Sequence, residues 1–188
     1  MSRRTLRRGI TAAAIALTAS GTMAVSAPAA QAAPLTPMER CQLGYSPNIN
    51  YQMTQYGNAT GINYPAGPNP PNGIYPGDVI KVVIDPAATV AIDYWGTRFG
   101  VDGHNSPAPS SFPFPGWPRF SALYRFNNNP GGWVASGNDP NPYNPHALRE
   151  LTVCTHAPNI PVRLGVGIND DNLGDNSGYW RYWLKLWY

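Results

Sequence analysis

Nine residues near the C-terminal end of the chain gather a dense set of hard oxygen donors. Asn169 to Ser177 holds three carboxylates (Asp170, Asp171, Asp175) and three carboxamides (Asn169, Asn172, Asn176). Hard cations such as calcium take about six to eight oxygen ligands, and a short acidic Asx/Gly loop can supply several of them. The same residue types also dominate turns for backbone reasons alone. A second set of reactive groups lies upstream, where Asp102 and His104 have acid/base spacing and Ser106 follows. A nucleophilic triad needs convergence in space, which spacing does not supply. Carboxylate pairs for glycoside hydrolysis can be drawn from Asp93, Asp102 and Asp170, with only the acidic loop to single any of them out. His146 and His156 read as isolated surface residues.

The elements that must position these groups read as strands. The acidic loop falls between two strand-like runs, Val162–Ile168 and Trp180–Tyr188. In the last run Trp180, Tyr182, Leu184, Leu186 and Tyr188 share one face, and Arg181, Trp183, Lys185 and Trp187 share the other. The uncharged face is expected to meet the core. Trp183 and Trp187 then lie outside, either stacking on a sugar ring or packing under the N-terminal segment. Upstream, Val79–Ile84 is a β-branched run bounded by the turn Tyr75-Pro76-Gly77-Asp78 and by Asp85-Pro86. Further strands are expected over Thr89–Trp95, Phe120–Phe126, Trp133–Ala135 and Leu148–Thr155, with Asn48–Met53 as one short alternating strand. Gly96–Pro118 reads as a long irregular loop, and loops of that length are usually functional or disordered. No amphipathic helix of useful length, internal repeat, P-loop, dinucleotide or zinc motif is found. The pattern predicts an all-β protein, a β-sandwich or jelly roll.

Residues 1–32 read as an export leader. Arg3, Arg4, Arg7 and Arg8 precede an apolar stretch and the small-residue site Ala30-Gln31-Ala32. Ser2-Arg3-Arg4-Thr5-Leu6 also resembles a twin-arginine signal. The leader holds four of the 13 Lys and Arg and none of the 10 Asp and Glu. The remaining chain, about 155 residues long, therefore carries nine basic and ten acidic side chains. Its arginines are scattered, so the basic face that nucleic-acid binding requires is missing. No other run is long and apolar enough for a membrane span. In an exported chain, the two cysteines Cys41 and Cys154 are expected to form a disulfide.

Three segments together resemble a known family. Tyr75-Pro76-Gly77-Asp78-Val79-Ile80 opens the first clear strand. Trp95-Gly96 ends the second, with Gly100-Val101-Asp102-Gly103 soon after. Ile168-Asn169-Asp170 leads to Asp175-Asn176-Ser177-Gly178 before the last strand. This order resembles the LecA-like family of bacterial galactophilic lectins, small galactose-binding β-sandwich domains that hold their sugar through calcium. The resemblance covers about Tyr75 to the C-terminus. It divides the chain into the leader 1–32, a Pro/Asn/Gly-rich N-terminal extension 33–73 and a lectin-like domain 74–188.

The resemblance implies calcium as the cofactor, with Asp170, Asp175 and Asn176 as side-chain ligands and the Leu173 and Trp95 carbonyls as backbone ligands. Two sugar hydroxyls would complete the coordination. It further implies that Asp170 and Asn176 contact the carbohydrate. His104 lies a few positions before the family's sugar-contacting histidine. The chain departs from the family in a shorter Asp170–Asp175 loop and in Asp175, where the family has Asn. The resulting expectation is a secreted, non-catalytic, calcium-dependent lectin for a galactoside, either monomeric or oligomeric. The alternatives are a calcium-stabilised structural or surface-interaction sandwich, and a secreted hydrolase using Asp102 and His104.

Overall fold

The computed structural model describes residues 33–137 and 139–188, so the leader assigned to residues 1–32 lies outside the described residues. The described chain is nearly all antiparallel β-structure. Its strands are β1 (Ile49–Tyr56), β2 (Gly61–Tyr64), β3 (Val79–Ile84), β4 (Val90–Ala91), β5 (Arg98–Phe99), β6 (His104–Pro107), β7 (Pro118–Arg119), β8 (Ala122–Asn128), β9 (Gly132–Val134), β10 (His146–Ala147), β11 (Thr155–His156), β12 (Arg163–Ile168) and β13 (Ser177–Trp187). One short helix, α1 (Pro37–Gln42), precedes them and is capped by Thr36 and Glu39, each bonding the other's backbone N–H.

The first sheet is built around β13. One edge of β13 pairs with β1 from Tyr56↔Tyr179 to Ile49↔Leu186, and the other with β3 and then β4. β11 extends β3, and β5 extends β4. The second sheet runs β10-β8-β12-β2, with β9 also on β8, and β6 and β7 form a separate small ribbon. The inward sides of the two sheets close on one core. Trp180, Tyr182, Leu184 and Leu186 of β13 meet Leu164, Val166 and Ile168 of β12 and Ala122, Tyr124 and Phe126 of β8. Alternation with period two puts these residues on one side of each strand, and burial of their apolar surface drives the sheets together.

Several expectations change here. Leu148–Thr155 is not one strand: Leu148–Thr152 is a 3₁₀ turn and only Thr155–His156 pairs with β3. A repeat of three residues per turn puts Leu148 and Leu151 on the same side, and both are fully buried. The strand expected over Thr89–Trp95 shrinks to two residues, because the chain turns at Asp93–Gly96 and Thr97 N donates to Asp93 Oδ1. Residues 33–73 supply β1 and β2, so both sheets include strands from the segment read as an extension. Phe120 leaves the β8 register with a positive φ of 59°. Trp187 faces outward yet is buried, because α1 covers it: it packs with Cys41, Val79 and Met38, and its Nε1 donates to the Tyr45 carbonyl. Tyr188, expected in the core, is exposed. Cys41 and Cys154 form the expected disulfide, with their Cα atoms 6.1 Å apart. Among the described residues no helix is long and apolar enough to cross a membrane.

Candidate functional site

The acidic stretch links β12 to β13, at the end of the second sheet. Its first residue acts as a clamp. Asn169 is fully buried, and its Nδ2 donates to the carbonyls of Phe114 and Pro118 while its Oδ1 accepts from Phe114 N. Its backbone carbonyl accepts from Phe120 N at 2.7 Å, which fixes that residue's unusual conformation. Asn169 therefore ties the 108–118 loop against the second sheet.

Asp170 and Asn176 come together directly. Asp170 Oδ2 accepts from Asn176 Nδ2 at 2.8 Å, and Asn176 Nδ2 also donates to the Gly57 carbonyl at 3.1 Å. Gly57 is needed there, since a Cβ would fall 2.7 Å from Val90 Cγ1. Asn172 bridges the two predicted acidic ligands: its N donates to Asp170 Oδ1 at 3.0 Å and its Nδ2 to Asp175 Oδ2 at 2.9 Å. The Leu173 carbonyl accepts from Asn176 N at 3.4 Å within a short 3₁₀ turn. Asp171 points away and accepts from Ser111 Oγ.

This corner is short of positive charge. Asp170 is 4% exposed and Asn176 7%. Burial holds the Asp170 carboxyl above the usual carboxylate range, and Asp171 and Asp175 add to the effect, against the pull of its hydrogen bonds from Asn172 and Asn176. Asp175 Oδ1 and the Asn176 carboxamide oxygen are buried without a partner, and unpaired buried acceptors are costly. A cation would meet both needs. Among the described residues, however, no three His, Cys, Asp or Glu side chains gather as a metal site. An ion here would rest on Asp170, Asp175 and the Asn176 carboxamide.

The other predicted residues lie further away. Trp95 is 93% exposed at the tip of the β4–β5 turn, whose base meets the loop through Ala91↔Ser177. His104 opens β6 opposite Arg119; its Nδ1 accepts from Ser106 N, and its ring packs edge-on against Phe99. Asp102 does not turn to His104 but forms a two-pronged ion pair with Arg149. His146 is not isolated, since its ring lies beside Glu150 and Asp139.

A cleft of about 460 Å³ opens on the outer face of the second sheet, and Asp170 and Leu173 line part of it. Two rungs cross its floor. Asn63, Gly165 and Arg125 form one, and Gly61, Gly167 and Leu123 form the other. The middle position of each rung is glycine, so the floor is bare backbone. The walls are Phe114 and Pro113 from the clamped loop, Trp133 of β9 and Thr60. The Arg125 guanidinium lies 3.8 Å from the Trp133 ring centroid and 5.1 Å from that of Phe114, a cation–π arrangement. Spacing alone did not single out these residues. The one local signal is β12 itself, where Leu164, Val166 and Ile168 alternate with Gly165 and Gly167. No family model, curated protein or solved structure matches the chain.

Proposed function

We propose that the protein is an exported carbohydrate-binding β-sandwich that holds a calcium ion at the Asp170 loop and lays its glycan in the glycine-floored cleft. One observation carries this reading: the acidic loop and the aromatic cleft are continuous, with Asp170 and Leu173 lining the same cavity as Trp133 and Arg125. Small-ligand sites of about 300–1,000 Å³ with an apolar body and a few convergent polar groups are the usual form. Asp170, Asp175 and Asn176 would hold the ion, and calcium, when bound, offers coordination places in which two vicinal hydroxyls replace water. The Cys41–Cys154 disulfide favours an oxidising compartment. The resemblance makes a galactoside the first sugar to try.

Glycan binding measured on an array in calcium and again in chelator tests the proposal. Chelator-sensitive binding that is lost in Asp170→Ala is the expected result; no glycan signal in either condition overturns it. A second reading is favoured by the burial of Asp170 and Asn176: an ion enclosed by protein alone, bracing the β12–β13 connection. In that case calcium raises the melting temperature of the wild type and not of Asp170→Ala, with no glycan bound.

A further inference from the structure

Arg125 brings a cation into the cleft, held there by two aromatic rings and one hydrogen bond. It stands on the outward side of β8, between two inward core residues, Tyr124 and Phe126. Its side chain is half-buried, and its Nη1 donates a long hydrogen bond to the Tyr143 carbonyl at 3.4 Å. Among the described residues no side-chain carboxylate lies within 4.0 Å of it, as is also true of Arg40, Arg98, Arg119 and Arg163 but not of Arg149 and Arg181. The guanidinium instead packs against the rings of Trp133 and Phe114. Contact with aromatic rings satisfies none of its N–H donors, and so leaves them for another partner. Burial draws its pKa down from the ordinary guanidinium value, as expected for a cation that has lost water without gaining a counter-ion.

The groups around it favour a sugar ring beside that charge. Gly165 lies directly opposite Arg125, with Asn63 on its far side. The Asn63 carboxamide oxygen comes to 3.4 Å of where a Gly165 Cβ would stand. A ligand at this rung therefore meets a carboxamide on one side of Gly165 and a guanidinium on the other. Trp133, 40% exposed, offers an apolar surface whose Cζ3 comes to 4.0 Å of that Cβ position, and Thr60 lines the cleft further along. From Gly165 to Ile168 the strand rises about 10 Å, which separates the guanidinium from the acidic loop by more than a single contact.

We infer that the cleft selects acidic saccharides, with Arg125 receiving a sugar carboxylate through paired N–H groups while the hydroxyls meet Asn63 and the Asp170 end. Guanidinium–carboxylate pairs of this kind are geometrically specific and stronger than neutral hydrogen bonds. The inference rests on the carbohydrate-binding reading and adds the ligand's charge.

Titration calorimetry of the disulfide-bonded protein, in calcium, with galacturonate oligosaccharides and with neutral galactose oligosaccharides of equal length, tests it. The acidic series should bind about tenfold tighter, and Arg125→Gln should remove that preference. Gly165→Leu should abolish binding of the acidic series with its circular dichroism unchanged, because a side chain there enters the cleft. Equal affinity of the wild type for the two series overturns the acidic selectivity and leaves the carbohydrate reading standing. Failure of the wild type to bind either series overturns both. The wild-type comparison decides the matter even where a variant folds poorly.

Discussion

β12 and β13 present the same inward side and opposite outward sides. Each sends alternate apolar residues into one core: Leu164, Val166 and Ile168 from β12, and Trp180, Tyr182, Leu184 and Leu186 from β13. Outward, β13 carries Arg181, Trp183 and Lys185, whereas β12 carries Gly165 and Gly167 after Arg163. The bulky outer face of β13 is partly covered, since α1 packs over its end at Trp187. The outer face of β12, without side chains at Gly165 and Gly167, forms part of a cleft walled by the 108–118 loop, Trp133 and Thr60. The inward residues determine how the sheets pack, and the outward residues determine which sheet receives a ligand.

The comparison can be broken most sharply from inside. Leu184→Ala and Leu164→Ala should each cost about 3–4 kcal/mol in urea unfolding, since both side chains are fully buried. Removing the disulfide with Cys41→Ala/Cys154→Ala should cost about 2–4 kcal/mol. It should shift the Trp187 fluorescence to the red and leave the β12 face as it was; a disturbed cleft would show that the two faces are coupled. Asn169→Ala strips partners from Phe114 and Pro118 and should cost about 2 kcal/mol, with loosening confined to the 108–118 loop in hydrogen exchange. The smallest effects belong to the outward sides. Lys185→Ala should stay within about 0.5 kcal/mol. Gly165→Ala should be similarly mild, because its Cβ would meet nothing closer than 3.4 Å; a penalty as large as that of Leu164→Ala would mean the glycine serves packing instead of a cleft.

Much of the sandwich was legible because its strands repeat every two residues. Val79–Ile84 matches β3 at both ends, and β12 and β13 differ from their expected ranges by a few terminal residues. β2 escaped notice because Gly61-Ile62-Asn63-Tyr64 is too short to establish a period, and its place depends on pairing with β12 a hundred residues later. Leu148–Thr152 was misread since its leucines, spaced by three, resemble a run of apolar residues when the spacing is ignored. In the acidic loop the closeness of Asp170 and Asn176 follows from local sequence, whereas the job of Asn169 depends on where Phe114 folds back. The cleft was least visible. Arg125, Trp133, Phe114 and Asn63 lie on four separate segments, and no local spacing connects them. The identity of Trp187's cover was likewise hidden, although packing under the N-terminal segment was one of the two options its position allowed.

The place of β13 has a consequence for how the chain is made. Strands β1, β3 and β4 are synthesised first, yet each completes its hydrogen bonding only against a strand at the far end of the sequence. Until β13 leaves the ribosome, those three edges stand open, and open edges are where chains stick to one another. A nascent chain of this design has to be shielded until its keystone arrives. A premature stop before Ser177 would leave the protein with no centre for its first sheet, a defect of a different order from a frayed end.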